Sequence, residues 1–192
     1  MNDRIRLEKK RLRRELRGRR RGLDDAERAR ANQRITEAVL GLPQWERARA
    51  VGLYHSLFEE VDTAGLIEAA WASGRRVALP LAPGLGLPLT FHWVERDTPL
   101  VRSSFDALEP APDTPRAALA DLDLVIVPGL GFDRRGARLG QGGGYYDRTL
   151  QAAVPAVLVA FACQELPEVP EDAHDRRLDV VVTEDGVVVG TS

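Results

Sequence analysis

The sequence contains a single cysteine, only two lysines and no apolar run long enough to cross a lipid bilayer. Because Cys163 is the only cysteine, an internal disulfide is excluded and a reducing compartment is expected. The N-terminal segment lacks the apolar stretch of a secretory signal, and its acidic residues and missing serine argue against an organellar transit peptide. We therefore expect a cytoplasmic protein that does not bind a membrane.

The length of 192 residues suits one domain, 1–192, with a single core. We find no internal repeat and no domain boundary, and we expect a monomer. Short apolar segments alternate with helical ones, which predicts an α/β fold with a mainly parallel open sheet and helices on both faces. The strands are predicted at Ala50–Tyr54, Val77–Leu81, Leu89–Val94, Leu122–Val127, Ala156–Phe161, Val180–Thr183 and Val187–Val189.

Three helices are predicted in the first half of the chain. The first covers about 3–21, the second begins after Asp24 as N-cap and ends at Leu40, and the third follows Asp62 or Thr63. Segment 106–120 is rich in proline, alanine and aspartate, so we expect an irregular surface connection there.

Positive charge is concentrated at the N-terminus. Residues 1–22 contain 11 Lys or Arg and three acidic residues, a net charge of +8, so the remainder must carry −10 to give the total of −2. A basic arm on an acidic body suits an anionic ligand, either a nucleic acid or a nucleotide phosphate, but it also fits a solvated helix face. Both lysines, Lys9 and Lys10, lie in this arm, and phosphate-binding sites often use the compact ammonium group.

Helical periodicity orients the side chains of this arm. The apolar stripe is formed by Ile5, Leu12 and Leu16. Lys9 and Arg13 lie four residues apart beside that stripe, so they point toward the body on which the helix packs, whereas Lys10 points away. We expect this basic helix to pack near the functional site.

A glycine-rich segment follows the apolar strand at 122–127. It has seven glycines between positions 129 and 144. Ordering so many glycines costs conformational entropy, so their presence needs a reason, and the close approach of the backbone to a ligand would supply one. Ligands of open α/β sheets bind beyond the carboxyl ends of the strands. The segment therefore predicts a phosphate-binding loop before a helix that begins at Tyr145, with Arg138 and Arg148 beside it and Asp147 available for a hard cation. It matches neither a dinucleotide fingerprint nor a Walker loop, and the alternative is a flexible surface loop.

The same segment resembles the signature of the 5-formyltetrahydrofolate cyclo-ligase family. The resemblance spans almost the whole chain and is weakest over 84–120. The matching stretches, in the order of the family, are Lys9-x-x-Leu-Arg13, Glu59-Glu-Val-Asp-Thr63, Gly74-Arg-Arg-Val-Ala-Leu-Pro80, Pro128-Gly-Leu-Gly-Phe-Asp133, Arg138-Leu-Gly-Gln-Gly-Gly-Gly-Tyr-Tyr-Asp147, Leu166-Pro167, His174-Asp175 and Leu178-Asp-Val-Val-Val-Thr-Glu184.

The resemblance implies a ligase with ATP as cosubstrate and Mg²⁺ as cofactor. The family reaction joins N5 and N10 of 5-formyltetrahydrofolate through the formyl carbon, giving 5,10-methenyltetrahydrofolate, ADP and phosphate. Because an amide oxygen is a poor leaving group, the formyl oxygen is first phosphorylated and then displaced when N10 attacks. The protein's task is positioning and charge stabilisation, as in other phosphoryl transfers.

The resemblance also assigns residues to ligands. For ATP they are Lys9, Lys10, Arg11, Leu12, Arg13, Arg138, Leu139, Gly140, Gln141, Gly142, Gly143, Gly144, Tyr145 and Tyr146. For the folate they are His55, Glu60, Gln141, Gly142, Gly143, Gly144 and Tyr145, with Glu60 on the donor-rich edge of the pterin. Asp147 and Asp175 are implied as ligands of Mg²⁺. Arg138, as a clamp on the transferred group, and Lys9 are the implied catalytic residues.

Other interpretations fit parts of the sequence. A sugar-phosphate isomerase or acyl-CoA transferase on a similar scaffold would use the glycine loop but would need neither ATP nor Mg²⁺. A nucleic-acid-binding protein would use residues 1–22 as an arm, but the acidic body would repel a polyanion, so we expect no nucleic acid. Glu59 and Glu60 also fit an exposed turn, and Asp175 fits an ion pair with Arg176 or Arg177.

Overall fold

A computed structural model of the protein describes residues 3–103, 106–150, 154–172 and 175–189. Its helices are α1 (Asp3–Arg21), α2 (Asp25–Leu40), α3 (Pro43–Arg47), α4 (Ala64–Ala72) and α5 (Tyr145–Thr149). Its strands are β1 (Ala50–Gly52), β2 (Arg76–Leu81), β3 (Thr90–Val94), β4 (Leu100–Arg102), β5 (Leu108–Pro110), β6 (Arg116–Ala117), β7 (Leu124–Pro128), β8 (Gly131–Phe132), β9 (Arg138–Leu139), β10 (Ala156–Val159), β11 (Val180–Thr183) and β12 (Gly186–Val189). In the described ranges no helix is both long and apolar enough to cross a membrane.

Eight strands form the main sheet, in the order β12-β11-β10-β7-β1-β2-β3-β6. The five central strands, from β11 to β2, run parallel, whereas β12, β3 and β6 pair antiparallel at the two edges. Parallel strands are buried on both faces, which explains why β7 and β10 are apolar runs rather than alternating ones. The prediction of a mainly parallel α/β sheet is confirmed.

Each face of the main sheet carries its own hydrophobic cluster. On one face α2, α3 and α4 cover the sheet, with Ile35, Trp45 and Leu66 among the buried side chains. On the opposite face Leu150, at the end of α5, packs with Phe91 and with neighbouring strand residues. The sheet thus has helices on both faces, although α5 covers much less area than the three helices opposite.

The predicted N-terminal caps of two helices are present. The Asp24 carboxylate accepts a hydrogen bond from the backbone N–H of Glu27 at 2.7 Å, and the Glu27 carboxylate accepts one from the backbone N–H of Asp24 at 2.9 Å. At the start of α4 the carboxylate of Asp62, not the hydroxyl of Thr63, accepts the N–H of Ala64 at 2.9 Å. Short polar side chains satisfy the free N–H groups of a first helical turn, which fixes where these helices begin.

Segment 106–120 is more regular than its composition predicts. β5 pairs with β4, and β6 extends the main sheet beyond β3. The prediction of an irregular connection was wrong because strands of two or three residues are too short to show alternation of apolar and polar side chains.

Helix α1 packs through its predicted stripe on a third, smaller cluster. Leu12 and Leu16 are buried there, together with Leu130, Ala137, Leu139, Leu166 and Val169. The contact is close at Gly131, where a Cβ would lie 2.6 Å from the Leu16 side chain. This packing sets the basic helix against the segment from β8 to β9, which leads directly into the glycine loop.

Candidate functional site

A cavity of about 840 Å³ lies beyond the carboxyl ends of β1, β2 and β7. Parallel strands end at the same edge of a sheet, and this edge is where open α/β sheets bind their ligands. The cavity is lined by α1, by the segments that follow these three strands, by β5 and by the glycine loop. Its lining residues are Arg6, Lys9, Arg13, Tyr54, His55, Leu57, Glu60, Pro80, Ala82, Leu89, 107–109, 128–129, 138–148, Asp172 and Asp175.

The structure brings together most of the residues implied by the resemblance. Lys9, Arg13, His55, Glu60, the whole segment 138–147 and Asp175 line this one cavity. The basic side chains of α1 that reach it, Arg6, Lys9 and Arg13, are three and four residues apart, as the periodicity of one helix face requires.

Three residues implied for ATP lie elsewhere. Lys10 is exposed, and Arg11 is paired with Glu8 and Glu15 on the outer face of α1. Leu12 is buried in the third cluster. Five consecutive residues of a helix cannot all face one ligand, because successive side chains point about 100° apart. Of residues 9–13, therefore, only Lys9 and Arg13 face the cavity.

Two cations and two carboxylates of the site are paired with one another. Lys9, which is 7 % exposed, forms an ion pair with Asp175, and the same carboxylate oxygen accepts the N–H of Asp172 at 2.7 Å. Arg138, which is 8 % exposed, donates to Asp147 at 2.6 Å. Lys9 and Arg138, the two predicted catalytic cations, thus each neutralise one predicted metal-binding carboxylate.

Further contacts fix the guanidinium groups beside the glycine loop. Arg138 also donates to the carbonyl of Pro128 at 3.1 Å, and its guanidinium lies 5.7 Å from the centre of the Tyr146 ring. Arg13 donates through Nε to the carbonyl of Gly140 at 2.9 Å. These bonds leave other N–H groups of both guanidinium groups available for an anion.

The glycine loop requires glycine at several positions. Gly142 and Gly144 have φ of 112° and 64°, a region that other residues adopt only with strain. At Gly143 a Cβ would lie 2.7 Å from the Tyr145 ring. The carbonyl of Gly143 accepts a hydrogen bond from Arg148. The tip of the loop at 141–143 is exposed, so its backbone is accessible to a ligand. Because α5 has only five residues, the loop backbone rather than a helix dipole must supply most of any anion attraction.

The opposite side of the cavity carries Glu60. The N–H of Leu57 donates to its carboxylate at 3.2 Å, and burial raises the pKa of Glu60 above its ordinary value. The buried Tyr54 lies beside it and donates to the carbonyl of Val61 at 3.0 Å. Burial also raises the pKa of the Tyr146 phenol far above its ordinary range, so both tyrosines keep their protons. This side thus offers the carboxylate of Glu60 beside two neutral phenol groups.

Several lining residues were not predicted from the sequence. Tyr54, Leu57, Pro80, Leu89 and Leu108 supply an apolar wall, and Glu109 accepts the N–H of Ala82 at 3.3 Å. The position of Tyr54 and Pro80 at the carboxyl ends of β1 and β2 is the signal that could have identified them. For the residues of β5 no such signal exists, since their segment was expected to be irregular.

The donor set fits a hard cation that shares its coordination with a substrate. Within the described ranges no group of three or more His, Cys, Asp or Glu side chains is arranged to hold a metal ion. Asp147 and Asp175 nevertheless line the same cavity. Mg²⁺ is commonly bound by one or two carboxylates, with phosphate and water oxygens completing an octahedron.

Comparisons with known proteins point to one enzyme family. The family model described as "5-formyltetrahydrofolate cyclo-ligase family" matches residues 5–184. The 5-formyltetrahydrofolate cyclo-ligase of Haemophilus influenzae is 33% identical over 183 residues, which cover 89% of this chain and 95% of that protein. The cyclo-ligase of Escherichia coli strain K12 is 35% identical over 174 residues, which cover 88% and 96%. The NMR structure of Aquifex aeolicus 5,10-methenyltetrahydrofolate synthetase has a TM-score of 0.84 and 31% identity, and covers 96% of this chain and 93% of its own.

Proposed function

Because this chain belongs to the 5-formyltetrahydrofolate cyclo-ligase family, we propose that the cavity beyond β1, β2 and β7 is the active site of that reaction. The protein is a ligase that converts 5-formyltetrahydrofolate to 5,10-methenyltetrahydrofolate at the expense of ATP. The observation that carries the assignment of the site is the meeting of Lys9, Arg13, Glu60 and the segment 138–147 in one cavity.

The nucleotide phosphates would bind between α1 and the glycine loop. Lys9, Arg13 and Arg138 provide positive charge there, and the exposed backbone at 141–143 provides N–H groups. Bound phosphate would take over Lys9 and Arg138 from Asp175 and Asp147, which frees both carboxylates. Mg²⁺, when bound, would be held by these two carboxylates and would neutralise charge on the phosphates.

The pterin would bind at the side of the cavity that carries Glu60. Its amide and amino groups are donors, and a carboxylate in a half-buried position is a strong acceptor for them. The apolar wall of Tyr54, Leu57, Pro80, Leu89 and Leu108 suits the flat ring system and its aryl extension. Donation from the pterin would stabilise the charged form of Glu60 and so offset the effect of burial on its pKa.

The reaction then proceeds by two displacements. The formyl oxygen attacks the γ-phosphorus and ADP leaves, which gives an imidate phosphate. N10 attacks the formyl carbon and loses its proton, and the oxygen leaves with the phosphate. Arg138 would stabilise the negative charge on the transferred phosphoryl group in both steps, since its guanidinium is fixed by Pro128 and Tyr146.

We further propose that one chain is a complete enzyme and that it acts in the cytoplasm. The residues in these roles line a cavity formed by one copy of the chain, so the proposed site requires no second copy. The single cysteine is in keeping with a reducing compartment. Size-exclusion chromatography with light scattering at assay concentration tests the monomer, and an obligate dimer would contradict it.

The activity is tested by mixing purified protein with ATP, MgCl₂ and 5-formyltetrahydrofolate. The expected result is a rise in near-ultraviolet absorbance from the methenyl product, with one ADP released per product formed. Omitting ATP, omitting MgCl₂ or substituting unformylated tetrahydrofolate should each abolish the signal. No absorbance change in the complete mixture, from a protein that is folded by circular dichroism, would overturn the assignment.

A further inference from the structure

One face of α1 contacts the proposed nucleotide side and the proposed folate side of the cavity. Basic residues at positions 9, 13, 17 and 20 recur every three or four residues, so their side chains lie on one side of the helix. Their partners are Asp175 for Lys9, the carbonyl of Gly140 for Arg13, Gln141 Oε1 for Arg17 at 3.0 Å, and Glu59 for Arg20 at 3.2 Å. The helix is thus connected both to the glycine loop and to the segment that carries Glu60.

The connection to that segment is an ion pair with one buried partner. The Arg20 side chain is 3% exposed, and the carboxylate of Glu59 accepts from it through Oε2. The other oxygen of Glu59 accepts from Arg21 Nε at 2.6 Å. These two arginines, with the bond from Arg21 contributing most, lower the pKa of Glu59, so this carboxylate is ionised at neutral pH.

Arg28 of α2 also contacts both the end of α1 and the turn at 57–60. It donates to the carbonyl of Arg20 at 2.7 Å, and its guanidinium lies 5.8 Å from the centre of the Phe58 ring. Phe58 itself is 84% exposed and therefore packs little against the protein. Few apolar contacts hold this turn in place, so its polar contacts must do so.

The turn presents its two neighbouring carboxylates to different partners. The N–H of Glu60 donates to the carbonyl of Leu57 at 2.9 Å, and the carboxylate of Glu60 accepts the N–H of Leu57. Glu60 lines the cavity, whereas Glu59 reaches away to the end of α1. Movement of Glu59 relative to α1 would therefore move Glu60 within the cavity.

On the basis of the proposed function, we infer that Glu59 is a positioning residue that ties α1 to the turn at 57–60 and thereby couples ATP binding to folate binding. ATP bound to Lys9 and Arg13 would hold α1 in place. The Arg20–Glu59 pair would then hold the turn at 57–60, and with it Glu60, in the position that binds folate. Each ligand would then bind more tightly when the other is present, by the same factor.

The test uses the full-length chain and its Glu59→Gln variant, which keeps the shape of the side chain and removes its charge. Affinity for 5-formyltetrahydrofolate is measured by calorimetry, with and without Mg²⁺ and adenylyl imidodiphosphate. In the wild type we expect the nucleotide to increase folate affinity about tenfold, within the usual range for coupled sites. In Glu59→Gln this increase should fall to about twofold or less, the KM for folate should rise, and nucleotide affinity without folate should stay unchanged.

Two further variants separate positioning from loss of structure. Glu68→Gln removes another glutamate–arginine pair, with Arg96, on an exposed surface away from the cavity, and should leave every parameter as in the wild type. Arg21→Gln removes one of the two partners of Glu59 at an exposed position and should give an intermediate loss of coupling even where Glu59→Gln fails to fold.

The outcomes distinguish the two proposals. A wild-type protein that forms no methenyl product defeats the proposed function itself. The role of Glu59 is overturned, and the proposed function is left intact, if the wild type is active but shows no coupling. The same holds if Arg21→Gln, or a folded Glu59→Gln, keeps full coupling and an unchanged KM for folate.

Discussion

Lys9 of α1 and Asp175 near the C-terminus form an ion pair across the cavity, although 166 positions separate them in the sequence. Arg138 and Asp147 form the second such pair, nine positions apart. Both pairs join a cation suited to phosphate with a carboxylate suited to Mg²⁺. Binding of Mg·ATP would therefore exchange partners within the site rather than bury uncompensated charge, which keeps the cost of desolvation low.

Replacing Lys9 tests whether the inward face of α1 binds ATP. Lys9→Ala should lower kcat/KM for ATP roughly 10- to 100-fold, because a hydrogen bond to a charged group is worth about 1.5–3 kcal/mol. Lys10→Ala is the matched control, since Lys10 is the next residue and is exposed on the outer face. Steady-state kinetics with varied ATP make the comparison, and equal kinetics for the two variants would remove α1 from the nucleotide site.

Asp147→Asn tests the proposed metal ligand. The amide keeps an oxygen that can accept the bond from Arg138 but loses the charge that attracts a cation. The Mg²⁺ concentration for half-maximal rate should rise about tenfold or more, a change typical of altered metal surroundings. Asp113→Asn, at an exposed position outside the cavity lining, should leave the Mg²⁺ titration unchanged. An unaltered titration in Asp147→Asn would contradict its assignment.

A side chain at Gly143 should disrupt nucleotide binding. The Cβ would meet the Tyr145 ring at 2.7 Å, so in Gly143→Val either the ring or the loop backbone must move. Binding of adenylyl imidodiphosphate, measured by calorimetry, should weaken at least tenfold, since the loop N–H groups would lose their alignment. Gly18→Ala is the control, because no atom lies within 4 Å of its added Cβ, and it should stabilise α1 by about 0.5–1 kcal/mol. Normal nucleotide affinity in Gly143→Val would rule out the backbone cradle.

Asp133 should make the stability of the fold depend on acid pH. This carboxylate is fully buried, and although burial opposes its charge, bonds from Arg135 and from the N–H groups of Val169 and Ala137 lower its pKa below the ordinary 3.8. A lowered pKa in the folded state means stabilisation that is complete well above pH 3.8 and is lost as the pH falls through the folded-state pKa.

Chemical denaturation at several pH values measures this contribution. Asp133→Asn should lower the free energy of unfolding at pH 7 by about 3 kcal/mol, because a fully buried carboxylate loses the charge that the bonds from Arg135 and the backbone N–H groups stabilise. It should also flatten the pH dependence of that free energy below pH 4. Asp97→Asn, at an exposed position, should change neither quantity. A wild-type slope retained in Asp133→Asn would assign the acid sensitivity to other groups.

Local sequence patterns sufficed for the central sheet and for the orientation of α1. The order of apolar segments predicted a mainly parallel sheet, and the spacing of Leu12 and Leu16 predicted which face of the helix packs. Lys9 lies on that inner face, as the helical geometry required. These features depend only on residues a few positions apart, so they can be predicted from a single sequence.

Tertiary contacts were beyond the reach of these patterns. The ion-pair partner of Asp175 is the distant Lys9. The sequence pattern had offered only the adjacent Arg176 and Arg177 as partners of Asp175. Leu108 and Glu109 reach the cavity only because the short β5 folds back on β4. The resemblance, carried over position by position, also included Lys10 and Arg11, which the helix turns away from the cavity.

Leu12 and Leu16 of α1 pack on the third hydrophobic cluster, and in the described ranges neither cluster on the faces of the main sheet includes a buried apolar residue from this helix. Detachment of α1 therefore leaves both large cores covered and requires much less free energy than global unfolding. Backbone amides of α1 should then exchange with deuterium sooner than those of β7 and β10, and a bound nucleotide should slow the exchange of α1 while leaving that of β7 and β10 unchanged.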